Sequence, residues 1–199
     1  MTLLVLWRHG QTEWNATRRI QGQTDVPLSA VGLAQAEESA PRLAAMQPTV
    51  LVSSDLRRAS ATAAALTALT GLTPTYDTRL RERGFGEWEG LDHPAAGSRW
   101  PEAFARWRSG EEVQAAGVEE VDAVAKRMVA GLLEAVDAAG PDAVVVAATH
   151  GAAARMAAVA LLGLPLTYAS SFEALHNCHR TVLHSHPVRG WMLEGHNLP

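Results

Sequence analysis

Two residue types are almost missing from this chain: of its 199 residues, Cys178 is the one cysteine and Lys126 the one lysine. A lone cysteine excludes an internal disulfide and a cysteine-built metal cluster. Charges of one sign are not gathered into runs, and a formal net charge of −4 leaves no footprint for nucleic acid or an anionic membrane. No apolar stretch reaches the length of a bilayer span, and the first residues lack the basic-then-apolar pattern of a leader. The expectation is a cytoplasmic protein. Repeats, low-complexity tracts and interdomain linkers are absent as well. What remains is ordinary globular usage, 47% apolar and 19% charged, which suits a single domain over residues 1–199 with a sizeable core.

Three short aliphatic runs, Leu3 to Trp7, Val50 to Ser53 and Ala143 to Ala148, read as strands covered on both faces. Helical stretches follow two of them, at Asp55 to Thr70 and Ala152 to Leu162, and two more fall at about Ser29 to Met46 and Glu119 to Ala139. Ser29 suits an N-cap, and Pro41 is expected to kink or split the helix that contains it. This alternation predicts an α/β fold, a three-layer α/β/α sandwich with a mostly parallel central sheet. Phe172 to Leu175, Thr181 to His186 and Trp191 to Glu194 read as edge strands, giving the sheet an antiparallel edge. Residues 92–118, rich in Gly, Pro, charge and tryptophan, read either as a helical lid inserted over a site or as a surface excursion.

The chemistry gathers where those strands end. Arg8 and His9 leave the first strand, Arg57 and Arg58 follow the second, and His150-Gly151 follows the third. Open α/β sheets bind ligands at the carboxyl ends of their strands, so these groups should converge on one pocket. Gly151 permits close backbone approach, and the free N–H groups of the helix it opens suit an anion. A guanidinium grips an anion with a planar fork, and a neutral imidazole is a nucleophile near pH 7. Phosphoryl transfer needs such positive charge around three equatorial oxygens. No cluster of aspartates stands ready to hold Mg²⁺, so arginines and a second histidine would carry that charge, with no cofactor and no metal. An alkoxide leaving group also needs a proton, and Glu82 in Arg79-Leu80-Arg81-Glu82-Arg83-Gly84 is the candidate acid.

Taken together, the motifs resemble the histidine phosphatase superfamily, branch 1, the phosphoglycerate-mutase-like group. They run in order: Leu6-Trp7-Arg8-His9-Gly10-Gln11-Thr12-Glu13-Trp14-Asn15, then Asp25-Val26-Pro27-Leu28-Ser29, then Ser53-Ser54-Asp55-Leu56-Arg57-Arg58-Ala59. Leu80-Arg81-Glu82, Gly86-Glu87-Trp88-Glu89-Gly90 and Thr149-His150-Gly151 follow. The resemblance implies that His9 attacks phosphorus and becomes a phosphohistidine, that Arg8, Arg58 and His150 clamp the phosphoryl oxygens, and that Glu82 is the general acid and base. It also implies phosphate contacts from Asn15 and Gln21. Of the adjacent arginines, Arg58 holds the motif position before Ala59, which leaves Arg57 at the rim. The shortness of the chain favours a phosphatase over a mutase, acting on a small phosphorylated substrate. Arg18-Arg19-Ile20-Gln21-Gly22-Gln23-Thr24-Asp25 and Asp77-Thr78-Arg79-Leu80-Arg81-Glu82 further resemble the actinobacterial glucosyl-3-phosphoglycerate phosphatases. Ala152 departs from the pattern, where a glycine is common, and the 92–118 and C-terminal segments match nothing in it.

The same residues admit rival readings. A phosphoglycerate mutase would use the same residues, and a module that binds phospho-ligands without turnover would keep the clamp. Arg155, one turn beyond Gly151, borders the pocket or lies on a surface helix. His176, His179, His184, His186 and His196 form a second cluster of imidazoles, without a carboxylate or cysteine at metal-ligand spacing. Trp14 and Trp88, both inside motifs, are candidates for packing beneath the site. Family analogy alone offers a homodimer, through the terminal edge strands or the outer helices.

Overall fold

The computed structural model describes residues 1–199, and its first element follows from the apolar run at the N-terminus. β1 (Leu3–Arg8) is extended and buried, and it pairs in parallel with β4 (Val144–Thr149) on one side and antiparallel with β5 (Arg180–His186) on the other. Beyond β4 come β2 (Val50–Ser53) and the two-residue β3 (Thr75–Tyr76), while β6 (Gly190–Leu198) closes the opposite edge. The strand order is β3-β2-β4-β1-β5-β6, parallel except for the last two strands.

Helices cover both faces. α1 (Glu13–Ala16) is a single turn, α2 (Ala30–Ala44) and α3 (Arg57–Thr70) lie on one face, and α6 (Val121–Ala139) and α7 (Gly151–Leu161) on the other. The pleat sorts the strand residues between two cores. Leu4, Leu6, Val145 and Ala147 meet Val124, Met128 and Leu132 of α6 and Ala153, Ala154 and Ala157 of α7. Val5, Trp7, Val146 and Ala148 meet Ala40 and Leu43 of α2 and Ala63 and Leu66 of α3.

Several expectations change in detail. α2 is not split at Pro41, which stands in its last turn. Phe172 to Leu175 is not a strand: the chain leaves a 3₁₀ turn at Leu166–Ser171 and stays irregular until β5. Its carbonyl oxygens are taken by side chains instead of a ladder, Phe172 by Arg155, Glu173 by His196 and Leu175 by Arg8. β6 is longer than its apolar residues suggest, continuing to Leu198 past irregularities in its register with β5. Residues 92–118 contain α4 (His93–Arg99) and α5 (Pro101–Arg108), whose Trp100, Phe104 and Trp107 pack on Phe85 and the fully buried Trp88. That aromatic cluster is separate from the two sheet cores. No helix is long and apolar enough to cross a membrane.

Candidate active site

Register places the site. Arg8 lies opposite Thr149 and Ser53 opposite Ala148, so His9, Ser54 and His150 step together off the ends of three adjacent parallel strands. Backbone bonds from His9 N–H to Thr149 O at 3.0 Å and from Ser54 N–H to Ala148 O at 2.9 Å carry the ladder one residue further. A cleft of about 200 Å³ opens there, lined among others by Arg8, His9, Asn15, Gln21, Arg58 and Glu82.

His9 is buried, and its ring meets that of His150 edge-on, with centroids 5.1 Å apart. Its Nδ1 lies 2.7 Å from Gly10 O. That nitrogen therefore carries the proton and donates it, which leaves the lone pair on Nε2. Burial pushes the imidazole well below the ordinary histidine value, and the charges of Arg58 and Arg8 push the same way. His9 is neutral at pH 7.

Arg58 is completely buried, and every arm of its guanidinium is used. Nη2 donates to Gly22 O and Nη1 to Thr24 O, both at 2.7 Å, and Nε donates to His150 Nδ1 at 3.2 Å. Burial lowers its pKa to about 10, so it keeps its charge at neutral pH. His150 does not itself line the cleft: fully buried behind Arg58 and His9, it places Nε2 2.9 Å from Ser54 Oγ. Arg8 donates through Nη1 to Leu175 O, and its buried Nε has no protein partner. Gly151 lets that guanidinium approach, since a Cβ there would lie 3.3 Å from Arg8 Nε. Arg57 is exposed and paired with Asp25 at 2.9 Å, away from the cleft.

Two amides face the same space. Asn15 Oδ1 accepts from Thr12 N–H at 3.0 Å and Gln21 Oε1 accepts from Thr12 Oγ at 2.9 Å, so each keeps its NH₂ group free. Glu82 reaches the cleft from a loop and sits on the start of α7. Its carboxylate accepts from the N–H groups of Ala153 at 2.8 Å, Ala152 at 3.1 Å and Arg83 at 2.9 Å. Neither neighbouring arginine pairs with it: Arg79 goes to Asp77 and Glu134, and Arg83 to Glu112. Phe85, His93 and Trp107 also line the cleft. Trp88 lies fully buried beneath Trp107, while Trp14 reaches Gly90.

Several supporting residues take roles that the sequence does not assign, although Glu89, Arg81 and Asp55 stand inside motifs. Glu89 accepts from the N–H groups of Gln23, Thr24 and Phe85 and from Thr24 Oγ, and so shapes the loop whose carbonyls hold Arg58. Arg127 of α6 grips the carbonyls of Arg79, Arg81 and Glu82 and pairs with Glu119, which fixes the strip of chain carrying Glu82. Arg81 is held by both oxygens of Asp55. Arg155 is partly buried with Nη1 on Phe172 O and lines a smaller neighbouring cavity. The C-terminal histidines bind scattered partners, His179 the Asn197 carbonyl and His196 both Thr181 and Glu173, and no three groups able to hold a metal come together anywhere.

Comparison with known proteins places the chain in a family. Residues 4–198 match the model of the histidine phosphatase superfamily, branch 1. The chain is 39% identical over 194 residues to a glucosyl-3-phosphoglycerate phosphatase of Mycobacterium tuberculosis, covering 94% of this chain and 87% of that one. A Mycolicibacterium vanbaalenii protein of the same name is 43% identical over 169 residues, 82% of this chain and 75% of its own length. Among solved structures, a mycobacterial glucosyl-3-phosphoglycerate phosphatase in complex with VO3 superposes with a TM-score of 0.92 at 37% identity, covering 99% of both chains. The α/β sandwich, the ordered motifs and these matches together make this chain a member of branch 1 of the histidine phosphatase superfamily.

Proposed function

We propose that this chain is a phosphoric monoester hydrolase acting on a small phosphorylated metabolite through a phosphohistidine on His9. The observation that carries the reading is the neutral His9, its Nδ1–H tied to Gly10 O, in one cleft with the guanidinium groups of Arg8 and Arg58. His9 Nε2 attacks phosphorus, and the P–O bond to the alcohol breaks. Glu82, entering as the acid, gives its proton to the departing oxygen. Glu82 then takes a proton from water, whose oxygen displaces the imidazole and releases inorganic phosphate. Arg8 and Arg58 hold charge on the equatorial oxygens, the work that a metal does in other phosphoryl-transfer enzymes. His150 holds Arg58 and the His9 ring in place from behind, and Asn15 and Gln21 donate to the same oxygens. Helices α4 and α5 act as a lid bearing on the alcohol portion. The names of the relatives make glucosyl-3-phosphoglycerate the first substrate to assay.

A brief incubation with ³²P-labelled substrate, quenched in alkali, should leave label on the protein that is stable to base and lost in acid. His9→Ala should carry no label and release no phosphate. Turnover by His9→Ala close to wild type would end this reading, and exchange between two hydroxyls faster than release, dependent on a bisphosphate, would replace it with a mutase.

A further inference from the structure

The segment before β5 is tied to the nucleophile strand by bonds that the sequence gives no reason to expect. Leu175 O accepts from Arg8, Cys178 O accepts from Trp7 Nε1 at 3.1 Å, and Cys178 N–H donates to Arg8 O at 3.1 Å and His9 O at 3.3 Å. Cys178 takes φ of +60° to do this, a left-handed conformation uncommon for a residue with a Cβ. Between them stands Asn177, which lines none of the phosphate cleft. Its Nδ2 donates to His9 O at 2.9 Å and to Asn15 Oδ1 at 3.3 Å.

The second contact reinforces the orientation that Thr12 gives to Asn15. An asparagine amide offers an anion either a pair of N–H donors or a carbonyl oxygen, and the two faces differ by a simple flip. Asn177 and the Thr12 N–H both donate to Asn15 Oδ1, so the oxygen is held toward the protein and the NH₂ end is left for the cleft. A flipped Asn15 would set its NH₂ against those two donors and its oxygen against the phosphoryl group.

We infer that Asn177 is a positioning residue that fixes the donor face of Asn15 toward the phosphoryl oxygens while bracing the His9 carbonyl. The inference rests on the proposed phosphoryl site, and its test is a binding measurement that needs no turnover. Inorganic phosphate affinity is measured by calorimetry for wild type, Asn15→Ala, Asn177→Ala and the double variant, with thermal unfolding to confirm that each is folded. Asn177→Ala should weaken phosphate binding about fivefold, the worth of one net hydrogen bond. In the Asn15→Ala background the same change should cost less than about twofold, because its target is gone. Asn177→Asp, equal in size but unable to donate, should weaken binding at least as much as Asn177→Ala.

Effects of the two alanine changes that multiply in full would overturn the inference, as would wild-type affinity in Asn177→Asp. Weak phosphate binding by the wild type itself, with no response to His9→Ala, would instead count against the proposed site.

Discussion

Arg58 Nε donates to His150 Nδ1 at 3.2 Å, and this bond sets the proton of His150 on Nε2, facing Ser54. A buried cation is thereby given a neutral acceptor on one side and two loop carbonyls on the other. None of its partners is an acid, so its charge remains available to an anion in the cleft. The adjacent Arg57 differs, since it has given its charge to Asp25 outside.

Arg58→Lys should therefore be nearly as damaging as Arg58→Ala. Lysine brings the charge but not the fork, and a single ammonium cannot serve Gly22 O, Thr24 O and His150 together. For either variant the expected loss in kcat/KM is on the order of 10²–10³, measured as phosphate release at saturating and limiting substrate. Restoration of activity by lysine to within about threefold of wild type would show that charge alone matters there, against the geometric reading.

The loop that receives Arg58 is held from behind by Glu89. Gly22 adopts φ of +53°, and a Cβ there would collide with the Glu89 carboxylate. Gly22→Ala should cost about 1–3 kcal/mol in stability through strain at that backbone position. Glu89→Gln should be milder for folding, since the amide oxygen still accepts, but its NH₂ group faces N–H donors. Phosphate affinity is expected to fall in both variants. Urea unfolding and phosphate titration of the same samples check the pair, and unchanged affinity in both would separate the loop from the site.

How far the sequence reaches is visible in this same region. Arg8, His9, Arg58 and His150 are legible because strand-end positions in a parallel sheet follow from short apolar runs, and register then brings them together. The roles of Glu89, Arg127, Ser54 and Asn177 are not, even where Ser54 and Glu89 stand inside motifs, because each acts on groups far along the chain, and no local pattern records the contact. Phe172 to Leu175 misleads for the opposite reason. Local propensity is real there, but side-chain donors claiming the carbonyls decide the outcome.

Glu82→Gln removes the proton while keeping the shape of the side chain. Its oxygen can accept from Ala153 N–H, but its NH₂ group then faces Ala152 N–H, a loss common to every substrate. A p-nitrophenolate leaves without needing a proton, whereas an alkoxide does not. Glu82→Gln should accordingly reduce kcat/KM, which reports the steps through departure of the alcohol, by about 10²-fold or more on an alkyl phosphate, and by much less on p-nitrophenyl phosphate. Equal losses in kcat/KM on both substrates would remove Glu82 from the role of acid.

The two buried imidazoles make stability depend on pH in a definite direction. Burial and nearby arginines hold His9 and His150 well below the ordinary histidine value. Above about pH 6.5 both rings are neutral folded and unfolded, so neither contributes to the pH dependence. Below it the unfolded chain binds protons that the native site refuses, and stability falls as pH falls. Each ring can remove up to about 1.4 kcal/mol per pH unit in that window. Urea midpoints taken between pH 7.5 and 5 should drop steadily below pH 6.5, and His9→Ala should flatten the slope by about one proton's worth. An identical slope in His9→Ala would mean that this imidazole charges freely in the native state, and a charged imidazole could not attack phosphorus.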